Sequence, residues 1–244
     1  MVASLKNHPF AVKAFFTNST VLTFAIPKEE LAHRIPKHLQ LDTFKDKWAF
    51  VAAAMVQTKD LRPKGLPKFM GNNFFLIGYR VFVTYTNKAG KRLRGLYILK
   101  SETNKKKMQF MGNIFTHYNY TTTDITIKKE LKNTQITSLN SNFKIDYNNN
   151  LNDVNLPKNS PFSTYKEARR FAGPLPFTFT YNKEKNSILI IEGVRQNWKP
   201  SPIHINEYHF NFLKEVGFKN AVLANAFCIK NIPYYWKKGK LELW

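Results

Sequence analysis

Two long apolar runs, NNFFLIGYRVFVTY and RGLYILKSET, constrain this fold more than any other feature of the chain. They are rich in β-branched and aromatic residues, and Asn87-Lys88-Ala89-Gly90 between them is a hairpin-type connection. They therefore read as neighbouring strands of one sheet. Each also carries a cation where a wall strand would carry an aliphatic residue. Arg80 stands among Leu76, Ile77, Val81, Phe82 and Val83, and Lys100 follows Leu96, Tyr97, Ile98 and Leu99 with Glu102 two residues on. An unpaired buried charge is costly, so each cation must be paired, face a cavity, or escape burial.

The rest of the chain supplies more strands and a few short helices. Residues 11–26 read as strands with a turn at Thr17-Asn18-Ser19. Residues 28–34 read as a short helix, with Pro27 at its start and Glu29 and Glu30 at the positive end of its dipole. A strand over 48–58, WAFVAAAMVQT, is apolar on both faces, and the prolines and glycine of 62–67 make a loop. Residues 113–127 predict another strand pair, and the more polar stretch 132–156 predicts short strands near 136 and over 143–147. Thr164-x-x-Glu167 is a capping box ahead of a helix closed by Gly173-Pro174. Residues 177–182 and 187–195 form a hairpin, 206–216 a helix with His209, Phe212, Leu213 and Val216 on one face, and 221–232 a last strand. Many strands without βαβ alternation predict an α+β fold, mainly antiparallel, built as a closed or conical β-barrel with flanking helices. A single domain over residues 1–244 is expected.

Charge raises the question of partners. The chain has 38 Lys and Arg against 16 Asp and Glu, a net +22, which brings nucleic acid to mind first. The cations are short local groups such as Lys105-Lys106-Lys107 and Lys128-Lys129, without an aromatic RNA signature or a basic recognition helix. No specific nucleic-acid partner is expected. Nor is a membrane partner, since no apolar run approaches the ~18 residues of a spanning helix. The segment MVASLKNHPFAVKAFF is too interrupted for a signal peptide. A cytoplasmic protein with a small-molecule ligand is expected, with room for a homo-oligomer. The lone Cys228 excludes an intrachain disulfide and a cysteine-rich zinc site.

Familiar catalytic motifs are absent: no G-x-S-x-G, no H-E-x-x-H and no dinucleotide fingerprint. The pairs His33/His38 and His204/His209 are five apart, wrong for one helical face, so no metal and no cofactor is expected. Strict strand alternation places Leu96, Ile98, Lys100 and Glu102 on one surface, which the Arg80 guanidinium could approach across the hairpin. A lysine in an apolar enclosure becomes a usable amine nucleophile, an arginine clamps a carboxylate, and a glutamate moves protons. Lys100 and Glu102 are accordingly the candidate catalytic pair, with Arg80, His117 and Tyr97 the candidate substrate-binding residues. The bland alternative is that Lys100 and Glu102 lie at a strand end facing water, with Arg80 pairing Glu102.

The ordered blocks PKHLQLDTFKDKWAFVAAAMV, LRPKGLPKFMGNNFFLIGYRVFV, GLYILKSETN and GNIFTHYNY, with NIPYYWKKG near the end, resemble the YqjF-like family of uncharacterised proteins. That family resembles acetoacetate decarboxylase in fold, which implies a barrel with a central cavity. In acetoacetate decarboxylase a barrel lysine forms a Schiff base and a second lysine beside it lowers its pKa. The strand of Lys100 looks like the counterpart of that lysine's strand, implying a decarboxylase-type lyase or, without catalysis, a small-molecule-binding protein. Two departures stand out. Leu99 and Ser101 flank Lys100 where a second lysine would be needed, and Leu76 or Ile77 replaces a glutamate. Arg80 matches the arginine typical of the YqjF-like strand and implies an anion-facing cavity.

Overall fold

A computed structural model of the protein describes residues 5–148, 154–196 and 198–244. Residues 149–153 of the polar stretch predicted to carry short strands lie outside them. The chain opens with β1 (Val12–Pro27), followed by α1 (Lys28–Ala32), the short β2 (Gln40–Leu41), β3 (Trp48–Pro63), β4 (Asn72–Thr86) and β5 (Arg92–Thr103). Next come α2 (Lys106–Phe115), β6 (Tyr120–Thr122), β7 (Thr126–Lys129), β8 (Asn133–Ser138) and β9 (Phe143–Asn148). The C-terminal half holds α3 (Tyr165–Ala172), β10 (Phe177–Asn182), β11 (Ser187–Arg195), β12 (Ser201–Pro202), β13 (His204–Phe210), α4 (Asn211–Glu215), β14 (Val222–Trp236) and β15 (Lys240–Leu243).

Seven strands close a ring in the order β14-β1-β3-β4-β5-β10-β11, with β11 returning to β14. Closure spares the long central strands an open edge. Most pairings are antiparallel, as expected, but β5 takes β10 and β6 in parallel. A second sheet, β13-β9-β8-β7, packs against one face of the ring wall. Leu22, Phe24, Ala53, Met55, Ile77 and Tyr79 meet Ile136, Ile145, Tyr147 and Phe210 there. The Tyr79 and Phe212 ring centres lie 4.3 Å apart in a tilted pair, and Thr20 Oγ1 donates to Tyr147 Oη at 3.1 Å.

The opposite wall face turns into the ring. Ala52, Ala54 and Phe82 lie on it, and at one end Phe50, Phe162 and Phe171 fill the interior beneath α3. The capping box of α3 forms as expected: Glu167 N donates to Thr164 Oγ1 (3.1 Å) and Ser163 N to Glu167 Oε2 (2.7 Å). Helix α2 borders the interior beyond the phenylalanines.

Four expectations are corrected. Thr17-Asn18-Ser19 is no turn, because β1 runs on through a bulge at that point and Thr17 Oγ1 donates to Gln57 O (3.2 Å). Residues 113–127 do not begin with a strand. Met108, Met111, Gly112 and Phe115 recur at helical spacing along α2, which presents them to the ring interior. The helix expected over 206–216 is half strand, since β13 pairs β9 and only Asn211–Glu215 turns helical. Strand β3 also continues through Pro63, into the stretch read as a loop.

Gly112 offers a test of the α2 packing. Glycine to alanine inside a helix normally stabilises by about 1 kcal/mol. A Cβ at Gly112 would run into the Tyr120 ring. Gly112→Ala is therefore expected to lower stability by about 1–3 kcal/mol in urea denaturation, reversing the usual sign.

Candidate ligand cavity

The ring interior holds a cavity of about 240 Å³. That is slightly below the roughly 300–1,000 Å³ of drug-sized pockets, so it suits a small molecule. Small wall residues make the space: Ala52 and Ala54 on β3, Gly78 on β4 and Ser101 on β5. Aromatic side chains, among them Phe16, Phe74, Phe115, Trp198 and Trp236, form much of the remaining lining. No lysine, aspartate or glutamate is among the described lining residues.

Three arginines reach the cavity, and two are already satisfied. Arg62 donates from Nε to Leu66 O (2.9 Å) and from Nη1 to Asp60 O (2.7 Å). Arg195 donates to Pro174 O (2.6 Å) and Leu175 O (3.3 Å), with its guanidinium 4.6 Å from the Trp198 ring centre. Arg80 has no hydrogen bond or ion pair among the described residues, and its Nε is buried without a partner. The side chain is partly buried, and the surface it still presents faces the cavity. Burial depresses its pKa, and the neighbouring Tyr234, Tyr120 and Tyr118 push the other way. A guanidinium stays protonated under any such shift.

Glycine at position 78 lets this side chain lie along the wall, since a Cβ there would sit 2.9 Å from Arg80 Nε. Tyr118 and Tyr120 are neutral donors. Burial pushes Tyr120 up to about 12, with the Arg80 charge pulling down, and burial likewise raises Tyr118, beside Thr178. Tyr234 arrives from the far end of the chain, where Gly193 admits its hydroxyl as β11 meets β14. A cation and neutral hydroxyls in an apolar enclosure can hold an anion through charge-assisted hydrogen bonds.

The other predicted residues lie elsewhere. Tyr79 pairs with Lys100 but Arg80 pairs with Ile98, so Leu99 is an extra residue in β5. This bulge breaks the alternation. Leu96, Ile98 and Ser101 face the cavity, whereas Lys100 and Glu102 face the second sheet. Its physical basis is the far edge of β5, which pairs with β10 at Gly95–Tyr97 and with β6 at Ser101–Thr103. The bulge occupies the unpaired gap between those partners. Lys100 Nζ lies 3.0 Å from Glu102 Oε1 and 5.3 Å from the Phe212 ring centre. Ser141 Oγ also donates to Glu102 Oε1 (2.6 Å), leaving Oε2 buried without a partner. The expected pairing of Lys100 with Glu102 on one surface therefore holds, but not on the surface of Arg80.

His117 follows α2 in a connection rather than a strand, outside the cavity lining, and burial followed by the Lys6 charge lowers its pKa. Tyr97 packs on the second-sheet side of the wall. The residues missed around Arg80 are Tyr118, Tyr120 and Tyr234. The first two had a signal, an i, i+2 tyrosine pair around Asn119, while Tyr234 had none nearby in sequence.

The sequence profile of DUF2071, a family described as an uncharacterized conserved protein, matches residues 14–238. The chain belongs to this family. It is the YqjF-like family of the sequence reading. No curated protein matches the chain. Solved structures do, beginning with acetoacetate decarboxylase from Legionella pneumophila subsp. pneumophila str. Philadelphia 1 (TM-score 0.58, 12% identity, 94% of this chain and 87% of that one). An acetoacetate decarboxylase-like enzyme from Sphingomonas wittichii RW1 gives 0.59 at 9% identity over 98% and 94%. The enduracididine biosynthesis enzyme MppR gives 0.59 at 6% identity over 96% and 88% with HEPES buffer bound. Its complex with pyruvate gives 0.51 at 6% identity over 96% and 90%. At these identities the likeness shows an acetoacetate decarboxylase-like fold.

Two measurements test the electrostatics of this family member's cavity. Even a buried ion pair is often replaced by apolar residues of similar volume with no loss or with a gain of about 1–4 kcal/mol, and an unpaired charge has no attraction to lose. Arg80→Met should accordingly raise the stability of the ligand-free protein, seen as a higher urea midpoint at unchanged slope. His8, buried at the cavity edge with Nδ1 unpartnered, has its pKa lowered by burial. Its contribution to stability is complete above the unfolded value of 6.5 and is lost as pH falls through the lower folded value. The stability difference between the parent and His8→Asn should shrink from pH 7.5 to pH 5, with asparagine chosen to suit the left-handed backbone at φ 52.

Proposed function

We propose that the ring cavity binds a small monocarboxylate with an apolar body, the Arg80 guanidinium taking the carboxylate and Tyr118, Tyr120 and Tyr234 donating from its flanks. The observation that carries this reading is the cavity-facing guanidinium without a partner among the described residues. A charged group left so is strongly unfavourable, and an incoming carboxylate answers both its charge and its donors. The aromatic lining suits an aryl or short alkyl body. A likeness in fold to an enzyme crystallised with pyruvate supports a small carboxylate as the ligand class.

Between a Schiff-base lyase and a binding protein on the same scaffold, the geometry supports binding. A Schiff base needs an amine in the cavity, and the described lining contains no lysine. Lys100, the expected nucleophile, is instead engaged by Glu102 on the far side of the wall.

Calorimetric titration with pyruvate, benzoate and phenylacetate, each beside its amide, tests the reading. At least one acid should bind and its amide should not. Arg80→Met should cost that acid about 2–5 kcal/mol, the usual loss on truncating one partner of a buried charge pair. Equal affinity for acid and amide would sink the proposal. Borohydride treatment with acetoacetate or pyruvate should leave no adduct at Lys100, and an adduct there would reinstate covalent chemistry.

A further inference from the structure

Three segments converge around one end of the cavity. Residues 5–13 lie beside residues 61–74, with Lys64 N donating to Ala11 O (2.8 Å). They also meet α2, where the Phe10 and Phe115 rings are 5.2 Å apart. The α2 residue Met108 in turn packs with Phe74 and Leu61. Each segment lines the cavity with one side, and their other sides share two properties.

The first is exposed apolar bulk. Phe69 is 88% exposed, Phe110 67% and Met70 50%, with Leu66 and Leu5 exposed as well. Such side chains outside the core mark an interaction site when they gather around one feature. The second is a strong excess of positive charge. Residues 5–28, 61–101 and 103–123 contain no Asp or Glu, while Lys6, Lys13, Lys64, Lys68, Lys106 and Lys107 lie within the three segments and Lys105 directly precedes α2. On α2, Lys106 and Lys107 share a helix face with Phe110 at i+4 and i+3. Apolar side chains standing out among lysines, with Asp60 beside Gly71 the one acid adjoining them among the described residues, match the water–lipid boundary of an anionic bilayer.

We infer that this end of the protein docks on an anionic lipid surface, with Phe69, Met70 and Phe110 entering the acyl boundary and the lysines meeting the headgroups. No described helix is long and apolar enough to cross a membrane, and surface docking needs none. The expectation of no membrane partner rested on the lack of a spanning run, which does not bear on this mode. Aliphatic Met70 and Leu66 beside Phe69 favour lipid over a nucleic acid, whose bases would stack on aromatic faces alone. Docking places the cavity against the phase in which apolar carboxylates partition.

The test uses the full chain with an environment-sensitive dye on Phe69→Cys, since Cys228 is buried and escapes labelling. With phosphatidylcholine vesicles containing phosphatidylglycerol, the dye emission should shift to the blue and the protein should sediment, and with phosphatidylcholine alone it should do neither. Phe69→Ser/Phe110→Ser should weaken partitioning at least tenfold, and Lys68→Glu/Lys106→Glu should do the same. Lys128→Gln/Lys129→Gln, on the second sheet, should change it less than twofold. Unaltered partitioning of either designed pair, an unshifted dye, or an equal shift with single-stranded RNA would overturn the inference. Carboxylate binding in vesicle-free solution should survive the serine pair, so this reading and that of the Arg80 cavity fail separately.

Discussion

Everything at the Arg80 cavity depends on a three-residue closure. Strand β11 pairs with β15 through Ser187–Ile190 and then passes to β14 through Gly193–Arg195. Those last pairs complete the ring, and only a closed ring gives the wall an inside. They also bring two cavity-lining residues together, because Arg195 stands opposite Tyr234. Gly193 is what lets the Tyr234 hydroxyl cross the joint, since any side chain there would occupy its place. Closure, desolvation of Arg80 and supply of a phenol to it are thus one event in the folded chain.

The second determinant is the extra residue Leu99. A β-strand separates neighbours onto opposite faces, and a bulge exchanges the assignment for everything beyond it. In β5 that exchange moves Ser101 inward and sends Lys100 and Glu102 outward. Outside, the lysine lies 29% exposed beside a phenylalanine ring, and its partner carboxylate is nearly wholly buried. A pair of this kind joins the ring wall to the second sheet through Ser141, a structural duty that fits its position.

Two local signals survived translation into structure intact, while pairings set by distant strands did not show in the sequence. The 177–182 and 187–195 hairpin and the Thr164 capping box hold residue for residue, because turn and cap chemistry act over a few positions. Arg80 was also legible, as a cation among aliphatics on a wall strand has few destinations. The bulge was not, since it arises from where β10 and β6 dock along β5 rather than from a glycine or a turn residue. Helix α2 was obscured by Gly112 and by the absence of a side-chain cap, both of which weaken the usual helix signature. Its apolar spacing was present but stood beside the β-branched and aromatic stretch that followed. The Tyr234 contribution could be seen only once the ring was closed.

Exclusion of carboxylates matters as much as placement of the cation. With unbroken alternation, Lys100 and Glu102 would share the compartment of Arg80. A tethered acid competes at an effective concentration of about millimolar for short flexible links, and higher in a fixed geometry. A ligand weaker than that would meet a guanidinium already neutralised. The bulge removes the threat by turning Glu102 to the far face, where Lys100 and Ser141 hold one of its oxygens. The wall strands β4 and β5 otherwise carry no acid between Asn72 and Ser101, so none replaces it. Arg80 therefore faces the cavity with no counterion among the described residues because of what its neighbours lack, which is the condition that the proposed anion binding requires.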